Sequence, residues 1–222
     1  MGLFADLVRT VRQREALILI YASVLLTFLA YHRSFGLLPA PYRGVEPWVT
    51  EAVFYVGATF LFSLLVLREN PLDFGLRRGD VRAWVGYVVV LALVMGAVNL
   101  VVSRRAEFAA YYPLWPAARE SHGPILLHAA SMLAYMFGWE YFFRGFLLFG
   151  LAKRYGSFAV VIQMVPFVLT HRGKPELEML GAIVGGLVLG VLALRTRSMW
   201  PCFLIHAFVA VWMDVCVVYL CR

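Results

Sequence analysis

Apolar residues fall into seven runs along this chain, separated by short stretches where Arg, Asp, Glu, Pro and Gly collect. The runs cover roughly 16–31, 49–67, 83–102, 125–150, 157–170, 179–194 and 199–220. Each is long enough, or nearly so, to cross a hydrocarbon core of about 30 Å, which takes about 20 helical residues. The fourth is overlong and holds Gly138, Glu140, Arg144 and Gly145, so a kink or an extension past the membrane surface is expected there. The fifth is short and contains Pro166, which predicts a broken helix or one that ends within the membrane. Such interruptions are tolerated only where protein or a cavity covers the freed backbone groups. No repeat, linker or low-complexity tract interrupts the pattern. The reading is one all-α domain over residues 1–222, a polytopic transmembrane helical bundle of about seven to eight membrane helices.

Composition agrees with the pattern. The chain is 62% hydrophobic and 15% charged, against about 45–50% and about 25% in soluble domains. One core cannot hide that excess, which excludes a soluble globular protein and a disordered one. The net charge of +7 would suggest nucleic acid in a soluble protein. Here the basic residues sit in clusters between runs: Arg9, Arg12 and Arg14; Arg68, Arg77, Arg78 and Arg82; Lys153 and Arg154; Arg195 and Arg197. That is the distribution of loop anchors at anionic headgroups, so the expected partner is the lipid bilayer and not nucleic acid. Alternate loops place eleven Lys and Arg on the side of the N-terminus and eight on the other, which predicts a cytoplasmic N-terminus. Asp6 and Glu15 interrupt the flank of the first run and no small-residue cleavage site follows it, so no cleavable signal peptide is expected. Only Lys153 and Lys174 are lysines, an Arg usage that points to a GC-rich bacterial genome and hence to a bacterial cytoplasmic membrane.

Small residues in the runs read as packing. Cys202, Cys216 and Cys221 lack CxxC or zinc-type spacing and read as small apolar residues at a helix interface. Gly181 with Gly185, and Gly186 with Gly190, form two interleaved small-xxx-small pairs that let helix backbones approach closely.

Ionisable residues in the runs are the informative exceptions, because each costs about 2.5–3.5 kcal/mol on insertion scales and usually faces the bundle interior. They are Glu140, Arg144, His171, His206 and Asp214, with Lys174, Glu176 and Glu178 just beyond the fifth run. His128, near the start of the fourth run, reads as facing the headgroup region. Glu140 and Arg144 stand at i,i+4 on one helix face and can pair. Trp139, Tyr141, Phe142 and Phe143 surround them with aromatic bulk that keeps water scarce, a setting for a general acid or base. His171 ends the fifth run and His206 lies early in the seventh. One carboxylate with two imidazoles can activate water and stabilise an oxyanion; the same groups could hold a metal. A fastening ion pair with two interfacial histidines is the competing structural reading.

Three segments carry a resemblance. Trp139-Glu140-Tyr141-Phe142-Phe143-Arg144-Gly145, Phe167-x-x-x-His171 and His206 resemble the three signatures of the CPBP (ABI) family of CAAX-protease-like and bacteriocin-processing integral-membrane endopeptidases. That family's motifs read EExxxR, FxxxH and His-x-x-x-Asn/Asp. Order and spacing fit over about 115–210, within a motif-bearing core of about 115–222, and Asp73-Phe74-Gly75-Leu76 resembles the family's loop before the third helix. Two positions depart. Trp139 stands where the family has its first Glu, usually assigned to activating water, and a neighbouring helical position points about 100° away. Ala210 stands where Asn or Asp is expected, with Asp214 one turn further on. Glu176 and Glu178 follow Pro175, which suits a first-turn position, and read as favourable charge at a helix N-terminus. The sharper alternative is that Glu178 or Glu176 supplies the carboxylate missing at Trp139.

The resemblance implies an intramembrane endopeptidase of the glutamic type that hydrolyses peptide bonds of membrane-associated proteins or peptides through a Glu/His-activated water, with no cofactor and no metal. Glu140, His171 and His206 are then the catalytic residues, and Arg144, Glu178 and Asp214 the supporting ones. Two other classes stay open: a catalytically inactive membrane scaffold of the same fold that binds a partner or peptide, and a metal-dependent membrane hydrolase.

Overall fold

The computed structural model describes residues 2–220, so Cys221 lies outside the described residues. The helices are α1 (Leu3–Val11), α2 (Arg14–Tyr31), α3 (Ala40–Leu67), α4 (Val81–Val102), α5 (Ala106–Tyr111), α6 (122–155), α7 (Ala159–Leu169), α8 (Glu176–Thr196) and α9 (Trp200–Leu220), with no strand among the described residues. Six helical runs are long and apolar enough to cross a membrane, and one of them, His122–Leu169, holds both α6 and α7. The chain reverses between them at Gly156, whose φ of 55° and ψ of −136° suit a residue without Cβ. The seven apolar runs therefore correspond to α2, α3, α4, α6, α7, α8 and α9.

At about 1.5 Å per residue, α6 is about 50 Å long, well beyond a core of about 30 Å. It stays continuous instead of breaking, widening into a π-helical stretch at Tyr141–Leu147 in which every residue is buried. Such stretches re-aim side chains and recur at functional sites; this one carries Arg144. Of the two outcomes expected for the fifth run, an internal break is absent, and α7 is instead a short helix of 11 residues that ends at Leu169. Pro166 sits in its last turn, where the missing N–H costs a single bond, and the Pro166 carbonyl still accepts from Thr170 N at 3.1 Å.

Packing divides the glycine stripe of α8 in two. A Cβ on Gly186 would meet Met164 Cγ at 2.7 Å, and one on Gly190 would meet Val160 Cγ1 at 2.8 Å, so these two let α7 lie against α8. Gly181 and Gly185 have nothing within 4 Å of that position and instead line a partly open cavity. The expectation of close packing holds for one pair and fails for the other, because successive positions on α8 point about 100° apart and Gly181 and Gly185 lie on a face that α7 does not cover. Cys202 and Cys216 are fully buried, as interface residues should be.

Connections collect on two opposite faces. On one, Glu69 takes Arg14 and Lys153, Arg14 also donates to Gly150 O at 2.5 Å, and Met199 N donates to Gly75 O at 2.9 Å. On the other, Glu46 Oε1 accepts from Phe35 N and Leu37 N, each at 2.9 Å, while Arg119 donates to the carbonyls of Ala109 and Tyr112. The aromatic core between them, centred on Tyr55, Tyr141, Phe142, Phe143 and Phe146, backs the stretch that bears Glu140 and Arg144.

Candidate active site

Three helices bring the unusual ionisable residues together. Glu140, at the end of the regular turns of α6, is 0% exposed, and its Oε1 accepts from Arg144 Nη1 at 2.9 Å and from His206 Nδ1, on α9, at 2.6 Å. The pairing at i,i+4 survives the change to π-helical winding, and the guanidinium of Arg144 lies 3.9 Å from the centre of the Phe167 ring, a cation–π contact across to α7. Glu140 Oε2, Arg144 Nε and Arg144 Nη2 have no hydrogen-bond partner among the described residues. His171, just past the end of α7, is buried, and its Nδ1 donates to Phe167 O at 2.8 Å. Burial, reinforced by the charge of Lys174, pushes this imidazole from its ordinary value down to about 2. It is therefore neutral at physiological pH, with the Nε2 lone pair free to accept.

His171 and His206 both border a cavity of about 1380 Å³ whose wall also includes Trp139, Phe167, Glu178 and Asp214. Glu140 and Arg144 are not part of that wall; they lie behind it. With Nδ1 of each histidine already donating, Nε2 is the nitrogen left to face the cavity. Trp139 fills the place next to them. Its ring meets His171 edge-on at 5.7 Å between centroids and His206 at 6.4 Å. The position that carries the family's first Glu thus holds an indole packed against both imidazoles.

Two supporting residues named from sequence, Asp214 and Glu178, border the same cavity and have partners of their own. Asp214 does not bond His206; its Oδ2 lies 3.2 Å from His128 Nε2, on α6. His128 is fully buried against the Trp48 ring, not at the headgroup level, because Ser131, Met132, Tyr135, Met136 and Trp139 continue the same inward face of α6. That spacing back from Glu140 was the available signal for His128. Glu178 does not reach Glu140 either. It receives Tyr112 OH at 2.7 Å and Lys174 Nζ at 2.7 Å. Burial, followed by the Glu178 charge, raises the Tyr112 phenol well above its ordinary value, which keeps it a hydrogen-bond donor. Nothing in the sequence around Tyr112 marks it as a partner of Glu178. Among the described residues, no three of His, Cys, Asp and Glu gather as metal ligands.

Fold and site together define an integral-membrane helical protein in which a cavity-lining His is backed by a buried Glu. Residues 121–212 match the family model described as Rce1-like, type II CAAX prenyl endopeptidase Rce1-like. The resemblance to the CPBP family is shown over that stretch, which contains all three motif segments. The match supports a CAAX-protease-like intramembrane endopeptidase in general. No curated protein and no solved structure matches this chain.

Proposed function

We propose that the protein hydrolyses peptide bonds of membrane-associated substrates with a water activated by His206, and that Glu140 acts through His206 instead of touching the water. The observation that carries this is the 2.6 Å bond from His206 Nδ1 to the fully buried Glu140, with His206 itself on the cavity wall. The carboxylate fixes the tautomer that leaves the Nε2 lone pair toward the cavity, the role a third group plays for a general base. Water accepted between the Nε2 atoms of His206 and His171 gives one proton to His206 as its oxygen attacks the peptide carbonyl. The imidazolium lies against Glu140 and then returns the proton, from Nε2, to the leaving amine. Before that transfer neither imidazole has an N–H free for an oxyanion, since both Nδ1 protons are engaged. Arg144 balances Glu140 inside the bundle.

The test is cleavage of single-span peptide reporters by the protein in vesicles. Glu140→Gln, His171→Ala and His206→Ala are each expected to lower the rate by about 10²–10⁴-fold, the scale of a general-base contribution, while still inserting and remaining monodisperse. Wild-type rates in any of the three would overturn the assignment. No turnover by the wild type, with the peptides still captured, would replace it with the scaffold reading that Trp139 and Ala210 favour.

A further inference from the structure

The cavity wall holds three carboxylates, and among the described residues Asp214 is the one not bonded by a Lys or Arg side chain. Glu51 is bonded by Arg33 and Glu178 by Lys174. Asp214 is 4% exposed, faces only His128 through Oδ2, and its Oδ1 has no hydrogen-bond partner among the described residues. His128 is 0% exposed, and neither of its ring nitrogens has a hydrogen-bond partner among the described residues. The wall is thus left with one buried, half-satisfied anion, and a buried charge in that state is stabilised by a charged donor from whatever enters.

Position gives the register. Asp214 and His206 lie eight residues apart on the unbroken helical turns of α9, about 12 Å at 1.5 Å per residue. An extended peptide covers that distance in three to four residues. The wall also holds Val209, Ala210 and Met213 on α9 and Val98 and Val102 on α4, with the amide of Asn99 among them donating to Val209 O, a mainly apolar lining that suits the aliphatic stem of a long basic side chain.

We propose that Asp214 is the floor of a substrate subsite for a basic side chain, Lys or Arg, three to four residues from the bond presented to His206. This rests on the endopeptidase reading for its register, but the subsite can be tested without any cleavage. The probes are single-span peptides in phosphatidylcholine vesicles, each with one benzophenone residue and, four positions away, Arg, its neutral isostere citrulline, or Leu. Illumination should label the wild-type protein with the Arg peptide about tenfold more than with citrulline or Leu, the scale of one charge-assisted hydrogen bond. Asp214→Asn should equalise the three, and Asp214→Glu should restore the preference, which separates lost charge from lost folding. Glu140→Gln and His206→Ala should keep the preference, so a failed hydrolysis assay leaves this result standing. Equal labelling in the wild type, an Arg preference that survives Asp214→Asn, or one removed by Glu178→Gln instead would each overturn the proposal.

Discussion

One oxygen of Glu140 serves both Arg144 and His206, and all of this takes place where water does not reach. Removing one member of a buried ion pair is costly because the other charge is left behind, on the order of 3–5 kcal/mol. Arg144→Met should therefore destabilise the protein by about that amount in denaturation from mixed micelles. Glu140→Gln combined with Arg144→Met should recover much of the loss, since no charge then remains to compensate. A double variant as unstable as the single one would mean that Arg144 matters for its packing on Phe167 and not for its charge. At this scale the sequence was informative wherever partners are close along the chain. Spacing of four residues was enough to pair Glu140 with Arg144. It could not pair Asp214 with His128 or Glu178 with Tyr112, since those partners come from different helices and i,i+4 logic says nothing about them.

Among elements, α6 and α8 show how one face can be both wall and joint. The inward face of α6 runs from His128 to Glu140, so a single helix holds His128 against Asp214 and Glu140 against His206, and Asp214 and His206 both line the cavity. On α8, Gly186 is covered by α7 while Gly181 opens on the cavity. Gly186→Val should overpack the α7 contact and cost about 1–3 kcal/mol, read as a lower midpoint of thermal unfolding in detergent. Gly181→Val should leave that midpoint within about 0.5 kcal/mol of wild type. Equal losses at both positions would show that the cavity closes over Gly181 when the protein is unliganded. The stripe of small residues was legible in the sequence, but which half of it packs depends on which face of α8 lies against α7, a matter of tertiary packing.

Across the whole molecule, Glu69 ties the start of α2 and the end of α6 to the end of α3 through Arg14 and Lys153. The hydrogen bond from Arg14, with Lys153 adding to it, holds the Glu69 carboxyl at about 2, below its ordinary 4.5. A carboxyl lowered by folding stabilises the fold fully above its unfolded value and loses that contribution as pH falls from about 4.5 toward 2. The gap in melting temperature between wild type and Glu69→Gln should thus be open at neutral pH and close over that window; a gap that does not change with pH would remove the electrostatic account. The sequence by itself determined that the chain is a helical membrane bundle, where its spans lie, and that Glu140, Arg144, His171 and His206 are out of place in lipid, because hydropathy and helical spacing are local properties. Only the tertiary structure decided that Glu140 stands behind His206 and outside the cavity, that Trp139 packs against both imidazoles, and that Asp214 faces His128. Those are facts about which helices meet, and desolvation makes them matter: in a dry interior, a charge is defined by the partner that packing brings to it.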